Sequence, residues 1–155
     1  MNQLRRTLLK LTGAAGTLAL AVGAGLIRTG EALAATWNKT GFESKAVADA
    51  LKSLGAASPA ESKDITITAP DIAENGAVVP VAVTSRIPKT QSISIIVEKN
   101  PFPLSSTFDV ANGGEGYVST RLKMGETSNV RAVVKADGKY YTAFKEVKIT
   151  IGGCG

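Results

Sequence analysis

Histidine is absent from the 155-residue chain, and cysteine occurs only once. Without histidine the protein cannot build a Ser-His-Asp or Cys-His catalytic site, and it cannot bind zinc or haem through imidazole. A single cysteine also excludes an intramolecular disulfide. These absences remove most enzyme chemistries, and no set of cofactor or metal ligands is visible in what remains.

Aromatic residues are also few, at 5% of the chain, whereas there are 16 glycines and many short runs of Val, Ile and Thr. This composition favours many strands joined by turns over a helical bundle. Hydrophobic residues make up 44% of the chain and charged residues 20%, which is typical of a sequence that folds. The length allows one domain of ordinary size, so we expect a single, mostly β domain.

The N-terminal segment predicts export. Arg5, Arg6 and Lys10 precede an uncharged run, residues 11–27, that is rich in glycine and alanine. A positive start before an apolar run is typical of an export signal. Residues 5–10 (RRTLLK) resemble a twin-arginine signal, with the arginine pair, the apolar pair and the trailing lysine all present.

The apolar run is too short and too rich in glycine to be a good membrane anchor. Ala32 and Ala34 supply the small residues that a signal peptidase checks, which predicts cleavage after Ala34. We expect residues 1–34 to be a twin-arginine signal peptide and the mature protein to be periplasmic without stable membrane association. An uncleaved N-terminal anchor is the alternative.

The mature chain, from residue 35 onward, keeps 14 basic and 12 acidic residues. It is close to neutral and lacks a basic run with interleaved aromatic residues, which argues against nucleic acid as a partner. Twin-arginine export carries folded chains, which implies a cofactor or a partner acquired before crossing. Because no cofactor ligands are visible, we expect a partner protein.

The mature domain is predicted to begin with a short helix. Apolar residues recur at the three-to-four spacing of one helical face between Phe42 and Leu54, with charged residues opposite. Thr40 is placed to cap the start of this helix and Gly55 to close its end. Residues 56–63 are then expected to form a loop.

The remaining sequence predicts about seven strands, since its hydrophobic period changes from that of a helix to that of a strand. The candidates are 65–68, 78–83, 93–97, 104–109, 116–123, 128–136 and 139–151. Seven short strands without helical crossovers indicate an immunoglobulin-like antiparallel β-sandwich preceded by a short N-terminal α-helix, with a barrel as the alternative. We expect this domain to span residues 35–151.

Two local features refine the strand prediction. Asp137-Gly138 supplies the positive φ angles that a two-residue hairpin turn requires, and Asn75-Gly76 also lies between strand candidates. Pro80 has no amide hydrogen to donate, so its strand should lie at an edge of a sheet or carry a bulge.

The only thiol lies in a glycine-rich tail, Gly152-Gly153-Cys154-Gly155. No side chains follow Ile151 with which to bury it, although a lone cysteine is usually buried and inert. The simplest alternatives are an accidental exposed thiol or a disulfide to another chain. An exposed thiol is a liability in an oxidising compartment, which favours a functional role for Cys154.

Glycine makes this tail thin and free in both signs of φ, so we expect residues 152–155 to be a flexible arm. The three steps from Ile151 to Cys154 span at most roughly 10 Å, enough to enter a partner's active site. Ordering the arm costs on the order of 1 to 2 kcal/mol per residue, which keeps docking reversible. A mobile thiol that visits several sites is a carrier.

The reactivity of the isolated thiol is expected to be ordinary. No lysine or helix start lies near Cys154 in the sequence to lower its pKa. Activation must therefore come from the enzymes that receive the arm. We expect slow alkylation of the isolated protein at neutral pH.

Taken together, these segments resemble the SoxY family, the sulfur carrier subunit of the periplasmic thiosulfate-oxidising Sox system. The resemblance covers the export signal, the helix, residues 72–81 (IAENGAVVPV), residues 99–104 (KNPFPL) and the Gly-Gly-Cys-Gly tail. It implies that Cys154 is the site of covalent sulfur attachment and that Gly152, Gly153 and Gly155 give the arm its flexibility. No catalytic residue, cofactor or metal is implied on this chain.

The resemblance also implies partners. A carrier of this family works as a heterodimer with SoxZ. A haem-containing enzyme, SoxAX, joins thiosulfate oxidatively to the cysteine, and a manganese hydrolase, SoxB, releases sulfate. A sulfane dehydrogenase or another sulfur-removing enzyme then acts on the sulfur that remains.

Two other classes of function remain open. A thiol enzyme needs a nearby base or anion hole, which the short tail cannot supply. An exported structural or binding sandwich would use its single cysteine for an intermolecular disulfide. Arg86, Arg121 and Arg131 share no motif and are explained as solvated strand positions, with docking to acidic rims of partner enzymes as the alternative. The proline-rich loop 99–104 is explained as a rigid connection, with partner contact as the alternative.

Overall fold

A computed structural model of the chain describes residues 37–111 and 113–150. The predicted signal peptide, its cleavage after Ala34 and the arm 152–155 lie outside these residues. Within the described ranges there are two helices and nine strands, all in one compact unit that begins at Asn38. None of the described helices is long and apolar enough to cross a membrane.

The helices are α1 (Lys39–Glu43) and α2 (Val47–Ser53). The strands are β1 (Ala60–Glu61), β2 (Ile65–Thr68), β3 (Ile72–Ala73), β4 (Val79–Ser85), β5 (Thr90–Val97), β6 (Leu104–Asp109), β7 (Tyr117–Leu122), β8 (Ser128–Ala136) and β9 (Lys139–Ile149).

The strands form two sheets. The larger has the order β1-β9-β8-β5-β6, with β3 also paired to β9, and the smaller has the order β2-β4-β7. The inner faces of the two sheets enclose the main core, which includes Val81 and Val83 from the small sheet and Ile93, Ile95 and Val134 from the large one. The predicted β-sandwich is confirmed. It is antiparallel except at β1 and β3, two-residue strands that each run parallel to β9.

A second, smaller cluster lies on the outer face of the large sheet. Ile96, Leu104 and Val133 point away from the main core and are covered by Ala50 and Ala56, from α2 and the segment just after it. Both faces of this part of the large sheet are therefore buried. The structure has three layers here: helices, large sheet and small sheet.

The single helix predicted over 42–54 is wrong in one respect, because the chain forms two helices with an extended break between them. Ser44 has ψ 135°, and its hydroxyl donates to the carbonyl oxygen of Thr40 at 2.7 Å, which ends α1. Asn38, and not Thr40, caps α1: its Oδ1 accepts from the amide of Gly41 at 3.0 Å. The prediction for Gly55 is confirmed, since it follows α2 with φ +76°.

Asn38 and Gly41 explain why the two helices fold against each other. The Asn38 side-chain amide donates to the carbonyl oxygen of Ser53, at the end of α2, at 3.2 Å. A Cβ at Gly41 would collide with the hydroxyl of Ser53. This close approach requires glycine, and it replaces the continuous helix that the apolar spacing suggests.

The Asp137-Gly138 hairpin is confirmed. Both residues have positive φ, 48° and 73°, and Ala136 pairs with Lys139 across the turn. These are the signs of φ that the two-residue type I′ turn requires. The turn fixes the register of β8 against β9 along its whole length.

Two further predictions need correction. The loop predicted over 56–63 contains the short strand β1, which pairs with Tyr141 and Thr142. The strand that holds Pro80 is the middle strand of the small sheet and has no register shift against β7. Pairing with β2 stops at Ala82, so Pro80 itself has a neighbour on only one side and its missing donor is tolerated.

Candidate functional site

Cys154 and the glycines Gly152, Gly153 and Gly155 lie outside the described residues. The structure does describe the strand from which the predicted arm continues, as far as Thr150. What the structure shows of the site is therefore the end of β9, called the root. Its geometry consists of the bonds that hold it and the surfaces that surround it.

Three consecutive amides at the end of β9 are hydrogen-bonded on alternate sides. Lys148 donates to the carbonyl oxygen of Asp71 at 3.0 Å, and Thr150 donates to that of Ala73 at 3.1 Å. Between them, Ile149 donates to the hydroxyl oxygen of Thr127 at 3.0 Å. This hydroxyl continues the ladder beyond Ser128, the last β8 residue paired with β9. The strand is thus fixed from both sides up to the last residue described.

The segment that accepts two of these bonds, residues 69–73, is called the strap. Lys145 anchors it, because its ammonium donates to the carbonyl oxygen of Ala69 at 2.6 Å and lies 3.0 Å from a carboxylate oxygen of Asp71. Ala73 adds a buried side chain to the main core. The strap is therefore held by packing and by β9 itself.

The turn after the strap also contacts the root. The Asn75 side chain accepts from the amide of Ala77 at 2.9 Å, and the carbonyl oxygen of Gly76 accepts from the amide of Met124 at 2.7 Å. A Cβ at Gly76 would collide with the Met124 carbonyl oxygen and crowd the side chain of Ile149. Gly76 is therefore required by close packing and not by a positive φ.

The proline-rich loop joins the same region. The Asn100 side chain donates to the carbonyl oxygen of Lys123 at 2.7 Å and accepts from the amide of Gly125 at 3.2 Å. The amide of Lys99 donates to the Ser128 hydroxyl at 3.0 Å. The loop is thus tied to the β7–β8 connection, which in turn is bonded to Gly76 and Ile149.

These bonds bring residues 72–78, 98–103, 123–127 and 147–150 together at one end of the sandwich, called the exit end. The two internal segments that carry the family resemblance, 72–81 and 99–104, both contribute to it. Sequence reasoning interpreted the first as a turn followed by a strand, and the second as a rigid connection with partner contact as the alternative. It did not identify Thr127 or the strap, because their contacts with β9 join residues far apart in the sequence.

The exit end carries an unusual share of the exposed apolar surface. Ile72, Val78 and Phe102 are 58%, 50% and 51% exposed, and they are three of the six large hydrophobic side chains exposed to this degree among the described residues. Val78 lies two residues from Gly76, and Phe102 two residues from Asn100. Each of the three belongs to a segment that is hydrogen-bonded into the exit end.

The three arginines considered from sequence do not form a site. Arg86 and Arg121 are exposed, as expected of solvated positions. Arg131 is partly buried, and its Nε donates to Glu98 at 2.7 Å while its guanidinium lies 5.6 Å from the centre of the Phe144 ring. Across residues 37–111 and 113–150, no three His, Cys, Asp or Glu side chains are grouped so that they could hold a metal ion.

Comparison with known proteins identifies the family. The model of the family "Sulfur oxidation protein SoxY" matches residues 50–154, more than half of the chain. The solved structure of the sulfur carrier protein SoxY from Chlorobium limicola f thiosulfatophilum is 41% identical in sequence, with a TM-score of 0.62. That match covers 73% of this chain and 99% of the Chlorobium chain.

Other comparisons add nothing to this assignment. The human F-spondin reeler domain is 10% identical with a TM-score of 0.37, over 60% of this chain and 93% of the domain, and is too distant to support an argument. No curated protein sequence matches the chain. The family match and the Chlorobium structure agree with each other and with the fold, and the chain belongs to the SoxY family of sulfur oxidation proteins.

Proposed function

We propose that the protein holds sulfur intermediates of thiosulfate oxidation covalently on Cys154 and presents them to partner enzymes. As a member of the SoxY family, the chain is a sulfur carrier subunit and not an enzyme. The observation that carries the assignment to Cys154 is that the family match extends to residue 154 and so includes the only thiol of the chain. The fixed root at Thr150, four residues before Cys154, supports the same assignment.

The proposed chemistry uses bonds at sulfur alone. The thiol of Cys154 and thiosulfate lose two electrons and one proton and form a disulfide-linked S-thiosulfonate, with the electrons passing to a haem-containing partner. Water then cleaves the bond to the sulfonate sulfur, which releases sulfate and a proton and leaves a persulfide on the cysteine. Exchange at sulfur needs access and mobility but no base on the carrier itself.

The SoxY family works with partner proteins of the Sox system. For this chain we infer a heterodimer with SoxZ and transient encounters with SoxAX, with the manganese hydrolase SoxB and with a sulfane dehydrogenase or another sulfur-removing enzyme. The short arm supports successive encounters, because it gives each enzyme the same small, reversible attachment. An intermolecular disulfide as the protein's main role is not favoured, since it does not explain membership of a carrier family.

We also infer that the protein acts in the periplasm and is exported in folded form by the twin-arginine pathway. The support is the sequence of residues 1–34, with its arginine pair, apolar run and small residues before the cleavage position. Folded export is compatible with a partner that crosses while bound to this chain.

Intact mass spectrometry of the protein isolated from periplasm during growth on thiosulfate tests the proposal. We expect a mature chain that begins at Ala35 and carries added sulfur atoms or a thiosulfate-derived group, all removable by reductant. Cys154→Ser is the matched control and should carry none of these additions. A wild-type mass that shows only free thiol or a disulfide dimer would contradict the carrier role.

A further inference from the structure

Lys145 is an exception to the alternation of β9. Its neighbours on the same side of the strand, Ala143 and Val147, pack against the main core or belong to it. Lys145 is paired with Val130 of β8, which is fully buried in that core. Because successive side chains of a strand point to opposite faces, Lys145 occupies a core-facing position. An apolar residue would suit this position, and a departure from a local rule points to a function for the residue.

The ammonium group of Lys145 reaches the strap at the edge of the sheet. It donates to the carbonyl oxygen of Ala69 at 2.6 Å and lies 3.0 Å from a carboxylate oxygen of Asp71. The Lys145 side chain is 32% exposed. A long side chain of this kind covers apolar surface with its stem while its charged end bonds to polar groups. The contact with the strap therefore explains why a lysine stands at this position.

The strap has little else to hold it. Of its five residues only Ala73 is buried, and Asp71 and Ile72 are exposed. Segments with little buried apolar surface open locally at a low cost in free energy. The strap nevertheless supplies, at Asp71 and Ala73, the carbonyl oxygens to which the end of β9 donates. The position of the end of β9 therefore depends on the strap, and the Lys145 ammonium is the polar anchor of the strap.

We propose that Lys145 is a positioning residue for sulfur delivery: it holds the strap, and through the strap it fixes the point from which the arm starts. This inference rests on the proposed function, in which an enzyme acts on Cys154. With the strap in place the arm starts at Thr150, and the α-carbon of Cys154 reaches at most roughly 14 Å from there. Without the strap the starting point moves back to Val147, the last β9 residue paired with β8, and the reach grows to roughly 24 Å.

A longer tether dilutes the thiol. The effective concentration of a tethered group falls with about the −3/2 power of the tether length, or more steeply. An increase from four residues to seven lowers the concentration of the Cys154 sulfur at an enzyme's active site roughly two- to fivefold. This loss occurs within the complex of carrier and enzyme, so it belongs to kcat and not to KM.

Steady-state release of sulfate by the manganese hydrolase tests this, with the S-thiosulfonate form of the SoxZ-bound carrier as substrate. We expect Lys145→Met to lower kcat roughly two- to fivefold and to leave KM for the carrier unchanged. Methionine is a flexible apolar residue that suits a core-facing position, so the fold should be retained. Lys145→Arg keeps a cationic donor for the strap and should restore kcat to the wild-type value.

Lys148→Met is the matched control. It removes the same charge from a side chain that is exposed and lies closer to Cys154 in the sequence, but it leaves the bond from the Lys148 amide to the strap intact. Its kcat should equal that of wild type. An equal loss of kcat in Lys148→Met and Lys145→Met would overturn the inference, because charge and not position would then be the cause.

Hydrogen exchange followed by NMR tests the step through the strap. The amides of Lys148 and Thr150 should exchange at least about threefold faster in Lys145→Met than in wild type. Alkylation of Cys154 by iodoacetamide should proceed at the wild-type rate, since only the origin of the arm is changed. Unchanged protection of these two amides would overturn the inference, as would a wild-type kcat despite their faster exchange. A raised KM would also overturn it, because Lys145 would then contact the enzyme.

Thr127→Val gives a second test that does not depend on the stability of Lys145→Met. It frees the end of β9 from the β8 side, because the amide of Ile149 loses its acceptor. We expect kcat to fall in the same direction and KM to stay unchanged. Faster exchange of the Ile149 amide with no loss of kcat would contradict the importance of a fixed origin. The proposed function fails separately, if Cys154→Ser still supports sulfate release.

Discussion

At the scale of single residues, the Thr127 side chain takes the place of a main-chain acceptor. In a longer β8, a main-chain carbonyl oxygen would accept the hydrogen bond from the amide of the facing β9 residue. Its hydroxyl oxygen accepts from the amide of Ile149 at 3.0 Å, one residue before the end of the described chain. A threonine hydroxyl in this position stops the end of β9 from fraying on the β8 side, because the Ile149 amide lies beyond Ser128 and Val147, the last pair of β8 with β9. The arm then starts from a defined point and direction.

Thr127→Val removes this acceptor while it preserves the shape of the side chain. We expect the Ile149 amide to exchange with solvent at least tenfold faster and the free energy of unfolding to fall by about 0.5 to 1.5 kcal/mol. Hydrogen exchange followed by NMR and urea unfolding measure the two effects. Thr127→Ser keeps the hydroxyl and should protect the Ile149 amide as wild type does. Equal exchange in all three proteins would show that the bond is unimportant.

Gly76 and Gly125 form a natural pair for testing close packing at the same end of the molecule. A Cβ at Gly76 meets the backbone carbonyl oxygen of Met124, whereas a Cβ at Gly125 meets nothing within 4 Å. We expect Gly76→Ala to destabilise the protein by roughly 1 to 3 kcal/mol, and Gly125→Ala to change stability by less than about 0.5 kcal/mol. Thermal and urea unfolding measure both. Similar stability in the two variants would mean that the turn at Gly76 shifts to admit a Cβ without loss of stability.

At the scale of elements, the strands follow from the sequence because alternation and turn chemistry act locally. Candidates 104–109 and 128–136 coincide with β6 and β8, and Asp137-Gly138 forms the expected turn. The helix prediction erred because apolar spacing continues across Ser44, so the pattern alone does not show the break. That break depends on Asn38 and Gly41 meeting Ser53, a contact between residues well separated in the sequence.

The candidate site, like the fold, could be predicted from the sequence only in part. The sequence alone points to Cys154 and its glycines, since a lone thiol in a glycine tail is a local feature. It does not reveal the strap or Thr127, because a two-residue parallel strand has no periodicity and a single hydroxyl has no motif. These features depend on which segments the two sheets bring together at the exit end.

The β8–β9 hairpin is the element that sets where the arm begins, because its turn fixes the register of β9. At Gly138, φ is +73°, a conformation that costs an L-residue about 1 to 2 kcal/mol. We expect Gly138→Ala to reduce the free energy of unfolding by that amount, measured by urea denaturation. Asp137→Asn should be close to neutral, because asparagine tolerates positive φ and the ion pair of Asp137 with Lys89 is exposed. A neutral Gly138→Ala would show that the turn has relaxed to another type.

At the scale of the whole molecule, the proposed carrier role joins the described body of the protein to the arm that the sequence predicts. The two cores fix the sheets, and the strap and Thr127 fix β9 as far as Thr150. A rigid origin makes the reach of Cys154 a matter of chain length alone. Delivery of sulfur should therefore depend steeply on the number of residues in the arm and weakly on the intrinsic reactivity of the thiol.

Deleting Gly152 and Gly153 shortens the reach of Cys154 by roughly 7 Å, about half of the distance available from Thr150. We expect this variant to lose at least a hundredfold in kcat/KM for sulfate release, because the reacting sulfur no longer reaches the active site of the hydrolase. Replacement of both glycines by serine keeps the length and restricts φ, so it should lose much less. Alkylation of Cys154 by iodoacetamide should be equally slow in wild type and both variants, which separates reach from reactivity. If the deletion and the serine replacement reduced kcat/KM equally, backbone freedom and not length would be the property that the glycines provide.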